Sequence, residues 1–383
     1  MDQFRYVSYA QEVVFGAGSL ARLNELAKQY GWQRLMLCTN QSLRQNGHAA
    51  AVEAALGDCL VASFDRVQPH VQDAQLEAVL DLAAEKRVDA LIGMGGGSPI
   101  GMAKAVASAL IEQRTSQSAS LSTSFAQPIV PVIAIPTTYA GSEMTAGFGV
   151  THTRQDPPRK VTISDPRIVP KLVLYDPLLT LDLPPDMTAS TGMNALAHCI
   201  EALYSITRHP SASANAASGI RYISNALFTC YAHGDDLAAR TEMLLGAHLA
   251  GLSLASISMG LHHGVCHVLG GTANVPHGIA NSIILPYAVR FNGDQADLLL
   301  PAVEAMGINP RNLSPNAVVE ALAQRIFDLT RKMNLPQRLR DVGVKEADLP
   351  NLAQLAFQNK TVQNNPTPIS NVKQIEDILR EAW

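Results

Sequence analysis

The chain has 383 residues, 47% of them hydrophobic and 16% charged, with a formal net charge of −4. That length suffices for two domains that each bury a core, and the mild charge balance offers no basic footprint for nucleic acid and no polybasic membrane patch. No uninterrupted apolar run approaches the roughly 18–20 residues of a membrane span, and Met1–Ala10 lacks the basic-then-apolar layout of a secretory signal.

In chain order, Arg34–Cys38 reads as a strand, Asp73–Lys86 as an amphipathic helix and Ala90–Met94 as a second strand. Gly101–Leu110 then reads as a helix and Val130–Ile135 as another strand, with the polar, Ser/Thr-rich stretch Glu112–Gln127 between them as a surface loop. Strands alternating with helices predict βαβ units and a parallel sheet covered on both faces. Beyond the proline-punctuated segment Asp176–Pro185 a 3.6-residue period takes over, in Met187–Tyr204, Ser213–Tyr231, Asp236–Ile257 and Ala317–Met333. The expected fold is an α/β Rossmann-like N-terminal domain (1–180) followed by an all-helical C-terminal domain (181–383). Five cysteines (Cys38, Cys59, Cys199, Cys230, Cys266) form no framework. They read as small buried hydrophobes in a reducing cytoplasm.

Two loops carry candidate chemistry in the first domain. Gly95-Gly96-Gly97-Ser98 follows a strand and opens a helix, where free N–H groups and the helix dipole attract a phosphate and glycine lets it approach. The same residues also suit a tight strand–helix turn. Pro136–Glu143 again follows a strand, and the hydroxyls of Thr137, Thr138 and Ser142 can meet a dinucleotide or cap the next turn. Two such loops at the carboxyl ends of one sheet favour a nucleotide. Lys104 and Lys160 are the nearest candidate cations, or else surface charges.

The second domain concentrates histidine. Asn194 and His198 lie four apart on one helix face, as do His263 and His267, with His262 beside them and His277 shortly after. One such histidine is usually a satisfied core residue. Several in two apolar segments point to a polar site, whether for a divalent metal or for acid–base and hydrogen-bonding work.

Over nearly the whole chain these residues resemble the iron-containing alcohol dehydrogenase superfamily, which shares its fold with the 3-dehydroquinate synthases. The resemblance runs through Val14–Gly18, Gly95–Ser98, Pro136–Glu143, Lys160, Tyr175–Pro177, Gly192–Glu201, Gly260–Gly270 and Val275–Tyr287. It implies NADPH or NADH at the glycine loop, with contacts from Asn40, Gly95, Gly96, Gly97, Ser98, Thr137, Thr138, Ser142 and Lys160. It also implies a metal set, Fe²⁺ or Zn²⁺, at Asn194, His198, His263 and His277. Here Asn194 replaces the usual carboxylate and should weaken metal binding. That amide, Tyr139–Thr145 and Gly101 are similar to the maleylacetate reductase branch. Gly264, where those reductases tend to have Lys, and Val275–Asn281 look more like the metal-dependent dehydrogenases. The resemblance further implies catalytic roles for His198, His263, His267, His277 and Tyr139, a small-molecule substrate, and a homodimer in which an Asp2–Val14 strand takes part. A metal-dependent alcohol or hydroxyacid dehydrogenase, a non-redox synthase relative and an inactive binding protein are the competing readings. Asn40 stands where many relatives place an acid, so the 2′-phosphate of NADPH should not be repelled.

Overall fold

The computed structural model describes residues 3–69, 71–118, 129–152 and 159–383, apart from the side chains of 113–118, 152, 159 and 160. The chain forms two compact units, Tyr9–Asp182 and Leu183–Trp383, the second including the N-terminal stretch that ends at Ser8.

The first unit contains strands β1 (Glu12–Phe15), β2 (Leu35–Cys38), β3 (Leu60–Phe64), β4 (Val71–Gln72), β5 (Ala90–Gly95), β6 (Val132–Pro136), β7 (Gly147–His152), β8 (Arg159–Ser164) and β9 (Leu172–Tyr175). Six of them make one sheet in the order β1-β9-β6-β5-β2-β3, parallel at every pairing. β2, β5, β6 and β9 are buried along their whole length, which is why they read as unbroken apolar runs. Successive residues point to opposite faces. Leu35, Leu37, Ile92 and Ile133 share one core with Leu23 and Val52 from helices Leu23–Gln29 and His48–Leu56. Met36, Cys38, Leu91 and Val132 share the other with Val79 and Met102 from helices Asp73–Glu85 and Gly97–Ser118.

Two motif segments turn out to brace this sheet. The Gly16 N–H donates to the Tyr175 carbonyl at 2.9 Å, and the Asp176 carboxylate accepts from the N–H groups of Gly18 and Leu20 at 3.0 Å each.

Three sequence expectations are corrected. The helix expected over Gly101–Leu110 spans Gly97–Ser118, so Glu112–Ser118 continues it instead of forming a loop. No glycine or proline interrupts that stretch, and Ser and Thr only mildly disfavour a helix interior; 119–127 of the expected loop lie outside the described residues. The N-terminal strand is confined to Glu12–Phe15, where β9 supplies a ladder partner, and Asp2 lies outside the described residues. A second sheet, with β4 parallel to β7 and β7 antiparallel to β8, had not been expected.

After Tyr175 the described residues form no strand, only helices and turns. At the centre of the second unit, helix Pro185–Tyr204 is buried without a break from Gly192 to Tyr204, as befits a bundle's core helix. Its first turn is held by the buried Arg240, which donates to the Gly234 carbonyl, the Thr188 hydroxyl and the Leu183 carbonyl at 2.9, 2.9 and 3.1 Å. No single helix among the described residues is long and apolar enough to cross a membrane.

Gly93 in β5 shows how tightly helix Gly97–Ser118 presses on the sheet: a Cβ there would lie 2.6 Å from Ile100 Cα and 3.0 Å from the Pro99 carbonyl. Both neighbours are backbone, so Gly93→Ala is expected to destabilise the protein by about 1–3 kcal/mol. A thermal melt checks this; an unchanged Tm would mean that the helix is free to shift.

Candidate active site

In the α/β unit, β5 ends at Gly95 and the next helix starts at Gly97. Gly95 has φ 140°, a conformation that favours glycine, and a side chain there would press on Pro99 and Leu43. A Cβ on Gly97 would meet nothing within 4 Å, so its backbone is open to approach. The loop after β6 lies against this turn. Thr137 donates its N–H to the Gly95 carbonyl at 3.0 Å, and a Cβ on Gly96 would sit 3.1 Å from the Thr138 hydroxyl. The structure therefore brings Gly95, Gly96, Thr137 and Thr138 together, with Ser98 one residue into the helix. Tyr139, expected as a catalytic donor, is completely buried in this unit.

Asn40, at the end of β2, caps helix Gln41–Gln45: its Oδ1 accepts from the Leu43 N–H at 3.1 Å and the Ser42 hydroxyl at 2.8 Å. The Lys160 backbone belongs to β8 and its side chain lies outside the described residues. Lys104 is not a surface charge. It is fully buried and donates to the backbone carbonyls of Ser142, Thr145 and Gly147.

In the helical unit, Asn194 and His198 project from the central helix, His262, His263 and His267 from helix Leu261–Ala273, and His277 opens helix His277–Phe291. Ring centroids lie 4.7 Å apart for His198 and His263, 6.0 Å for His263 and His277, 6.3 Å for His263 and His267, and 5.6 Å for His267 and His277. His198 and His263 are buried, His277 is half-buried and His267 is exposed. The expected cluster thus forms.

Two site residues went unread in the sequence. Glu201 is fully buried, accepting from His263 Nδ1 at 2.5 Å and from the Gly260 N–H at 2.7 Å. Asn281 donates from Nδ2 to Asn194 Oδ1 at 3.1 Å and to the His277 carbonyl at 2.7 Å. His262 Nε2 donates to the Asn281 carbonyl at 3.1 Å. Asn194, His198 and Glu201 follow an i, i+4, i+7 stripe, a signal that could have found the carboxylate.

Burial would raise the pKa of Glu201, but the imidazoles of His263 and His262 outweigh it and hold the carboxyl well below its usual range. Burial lowers His263 despite the pull of Glu201, and burial together with the His263 ring lowers His198 much further. Both rings are therefore neutral near pH 7. With Nδ1–H committed to Glu201, His263 presents a bare Nε2. Among the described residues, His263 Nε2, His198 Nδ1 and Asn281 Oδ1 are buried without a hydrogen-bond partner.

The donors fit a metal only in part. Two free imidazole nitrogens suit one, but Asn194 Oδ1 is neutral and already accepts from Asn281. The nearby Glu201 carboxylate is committed to His263 and Gly260. Among the described residues, the donors that close to within 4.8 Å are Glu201, His262 and His263, and the Glu201–His263 contact is itself a hydrogen bond. None of the four expected ligands is anionic, and three imidazoles with an amide oxygen would hold a divalent ion less tightly than three imidazoles with a carboxylate. Gly264 is fixed by packing, since a Cβ would come within 2.9 Å of the Val362 nitrogen and overlap its side chain.

Comparison with known proteins agrees with this layout. Residues 10–177 match the model of iron-containing alcohol dehydrogenases, and residues 188–383 match that of the C-terminal part of the Fe-containing alcohol dehydrogenase family. The chain belongs to the iron-containing alcohol dehydrogenase family, and is an NAD(P)-dependent oxidoreductase. It is 36% identical to a maleylacetate reductase from Burkholderia cepacia, over all of this chain and 98% of that one. It is 32% identical to a 1,3-propanediol dehydrogenase from Citrobacter freundii, over 96% of each. The crystal structure of maleylacetate reductase from Agrobacterium tumefaciens superposes with a TM-score of 0.84 at 31% identity, covering all of this chain and 99% of that one.

Glu201→Gln keeps the shape of the side chain but removes the charge that orients His263. It is expected to lower kcat/KM roughly tenfold or more; wild-type steady-state kinetics would remove Glu201 from the site's workings.

Proposed function

We propose that the protein is a maleylacetate reductase, reducing maleylacetate to 3-oxoadipate with NADPH or NADH and needing no metal for turnover. The observation that carries this reading is Asn194, an amide at the expected carboxylate position and already hydrogen-bonded to Asn281. The similarity to maleylacetate reductases along the whole chain supports it.

The cofactor's phosphates are assigned to the turn Gly95–Ser98, with Thr137, Thr138, Ser142 and Lys160 as further contacts. The amide at Asn40 leaves NADPH at least as acceptable as NADH. Bound there, the reduced cofactor would supply a hydride to the alkene carbon β to the ketone; the protein's own tasks are to stabilise the enolate that develops on the ketone oxygen and to deliver a proton to the carbon α to that ketone. Imidazoles suit both remaining tasks, stabilising the enolate and supplying the proton. His263 can donate only once its bare Nε2 has taken up a proton, and Glu201 stabilises the positive charge that the ring then carries. His267, exposed and beside His277, can exchange its proton with water. His198 and His277 line the substrate. A cytoplasmic homodimer is the expected state of the enzyme.

A second reading, a metal-dependent alcohol dehydrogenase, is favoured by one feature. A carboxylate on His263 Nδ1 that leaves Nε2 bare is the arrangement that backs many metal-bound histidines. His198, His263 and His277 would then hold the ion with Asn194, and the ion would polarise a carbonyl as a Lewis acid.

Oxidation of each reduced cofactor with maleylacetate, before and after chelator, separates the two. Full activity in chelator is expected, with NADPH at least equal to NADH. Activity that returns only with Fe²⁺ or Zn²⁺ would establish the second reading. Under either, His263→Ala is expected to lower turnover at least roughly tenfold with the fold intact by circular dichroism; unchanged turnover would exclude His263.

A further inference from the structure

Lys104 lies about two turns into the helix that opens at the glycine loop. Its Nζ donates to the carbonyls of Ser142, Thr145 and Gly147 at 2.5, 2.7 and 3.1 Å, and to the Thr145 hydroxyl at 3.2 Å. Every one of these acceptors belongs to the short segment Ser142–Gly147, which runs from the end of the hydroxyl loop to the first residue of β7. Glu143, in the same segment, is also fully buried and accepts from the Tyr175 hydroxyl at 2.8 Å. Burial lowers the Lys104 pKa to about 7, while the Glu143 carboxylate works in the opposite direction.

We propose that Lys104 is a positioning residue for the dinucleotide, an internal cation around which the Ser142–Gly147 segment folds and which thereby holds the hydroxyl loop against the glycine loop. This rests on the assignment of those two loops to the cofactor. Three carbonyls converging on one point repel each other and cannot be hydrated in a closed interior, so the segment keeps its shape only while a donor of several hydrogen bonds sits between them. The effect reaches the cofactor loops through short links. The segment continues the chain from Thr137 and Thr138, and these lie on Gly95 and Gly96. Lys104 is itself on the helix whose first turn is to meet the phosphates. One side chain thus couples both halves of the cradle without touching the ligand.

The test is a fluorescence titration of the full-length protein with NADPH, alongside thermal melts and the KM for NADPH. Lys104→Met is expected to raise the Kd and KM for NADPH roughly tenfold or more, while kcat at saturating NADPH stays within about twofold because the group is remote from the reacting atoms. Glu143→Gln, which leaves the cation without its counter-charge, should shift Kd in the same direction by less. A Lys104→Met protein with a lowered Tm but wild-type Kd would overturn the proposal and leave the lysine a purely structural group. If Lys104→Met does not fold, Thr145→Val and Glu143→Gln decide: a raised Kd in both supports the role and a wild-type Kd in both overturns it. Thr138→Val separates this from failure of the cradle itself. If Thr138→Val binds NADPH as wild type does, the loop assignment falls and the proposal with it. If Thr138→Val weakens binding and Lys104→Met does not, only the proposal falls.

Discussion

A single buried carboxylate fixes the geometry of the helical unit's site. Helix Leu261–Ala273 begins at Gly260, which has no side chain to cap the first N–H groups, and those groups are met from far along the chain. Glu201 accepts from the Gly260 N–H, and Asn365 Oδ1 accepts from Leu261 N–H at 3.2 Å. A Cβ on Gly260 would sit 3.0 Å from Asn365 Oδ1 and 3.2 Å from Glu201 Oε1, so the residue that cannot cap is also the one that lets the other caps in. Because Glu201 also accepts the hydrogen bond from His263 Nδ1–H, the start of the helix and the orientation of that imidazole cannot vary independently. An ionised carboxylate this deep is tolerable only with those partners in place, since losing one leaves an uncompensated buried charge.

The α/β unit meets the mirror-image problem. Its parallel strands deliver two loops to the same sheet end, and a loop buried there turns carbonyls inward that no ladder can satisfy. Lys104 is the donor that answers them, with Glu143 as counter-charge. In both units a buried ion therefore sets loop geometry, and in both its partners include backbone groups. Backbone partners fix the path of the chain, whatever side chains the loop carries.

The same facts explain what could and could not be read in the sequence. β2, β5 and β6 were legible because a strand covered on both faces is apolar throughout, and the long helices because their period is 3.6. The pair β7 and β8 was not, since glycine, charged and hydroxyl residues break up their apolar runs. The glycine loop was legible as the opening of a helix, but its period was read only over Gly101–Leu110, because glycine and the Ser- and Thr-rich end of the helix carry little helical signal. Lys104 reads as a surface charge by residue type. Its neighbours Met102, Ala103, Ala105, Val106 and Ala107 are all buried, however, so the helix has no solvent face there on which a lysine could lie. The histidines were found because they are rare in apolar segments. Glu201 was overlooked in the same helix because its partners lie some sixty positions away in the chain, at Gly260 and His263.

Exchange of a carboxylate for an amide at position 194 would leave the local structure almost unaltered. Asn194 differs from a carboxylate ligand by one group, NH₂ in place of O⁻, with almost no change in shape. Asn281 would donate to either side chain from its present position, and the Glu201–His263 pair, the glycine contacts and the ring arrangement are indifferent to the exchange. A chain with the carboxylate and one with the amide can thus superpose closely and remain similar in sequence throughout, and this chain is similar along its length to both a 1,3-propanediol dehydrogenase and maleylacetate reductases. What separates carboxylate from amide is charge. With an amide at 194, a divalent ion would face three neutral imidazoles and a neutral oxygen, with the nearest carboxylate already committed. In a low-dielectric interior the missing charge would weaken the hold on such an ion, whatever the similarity of backbone.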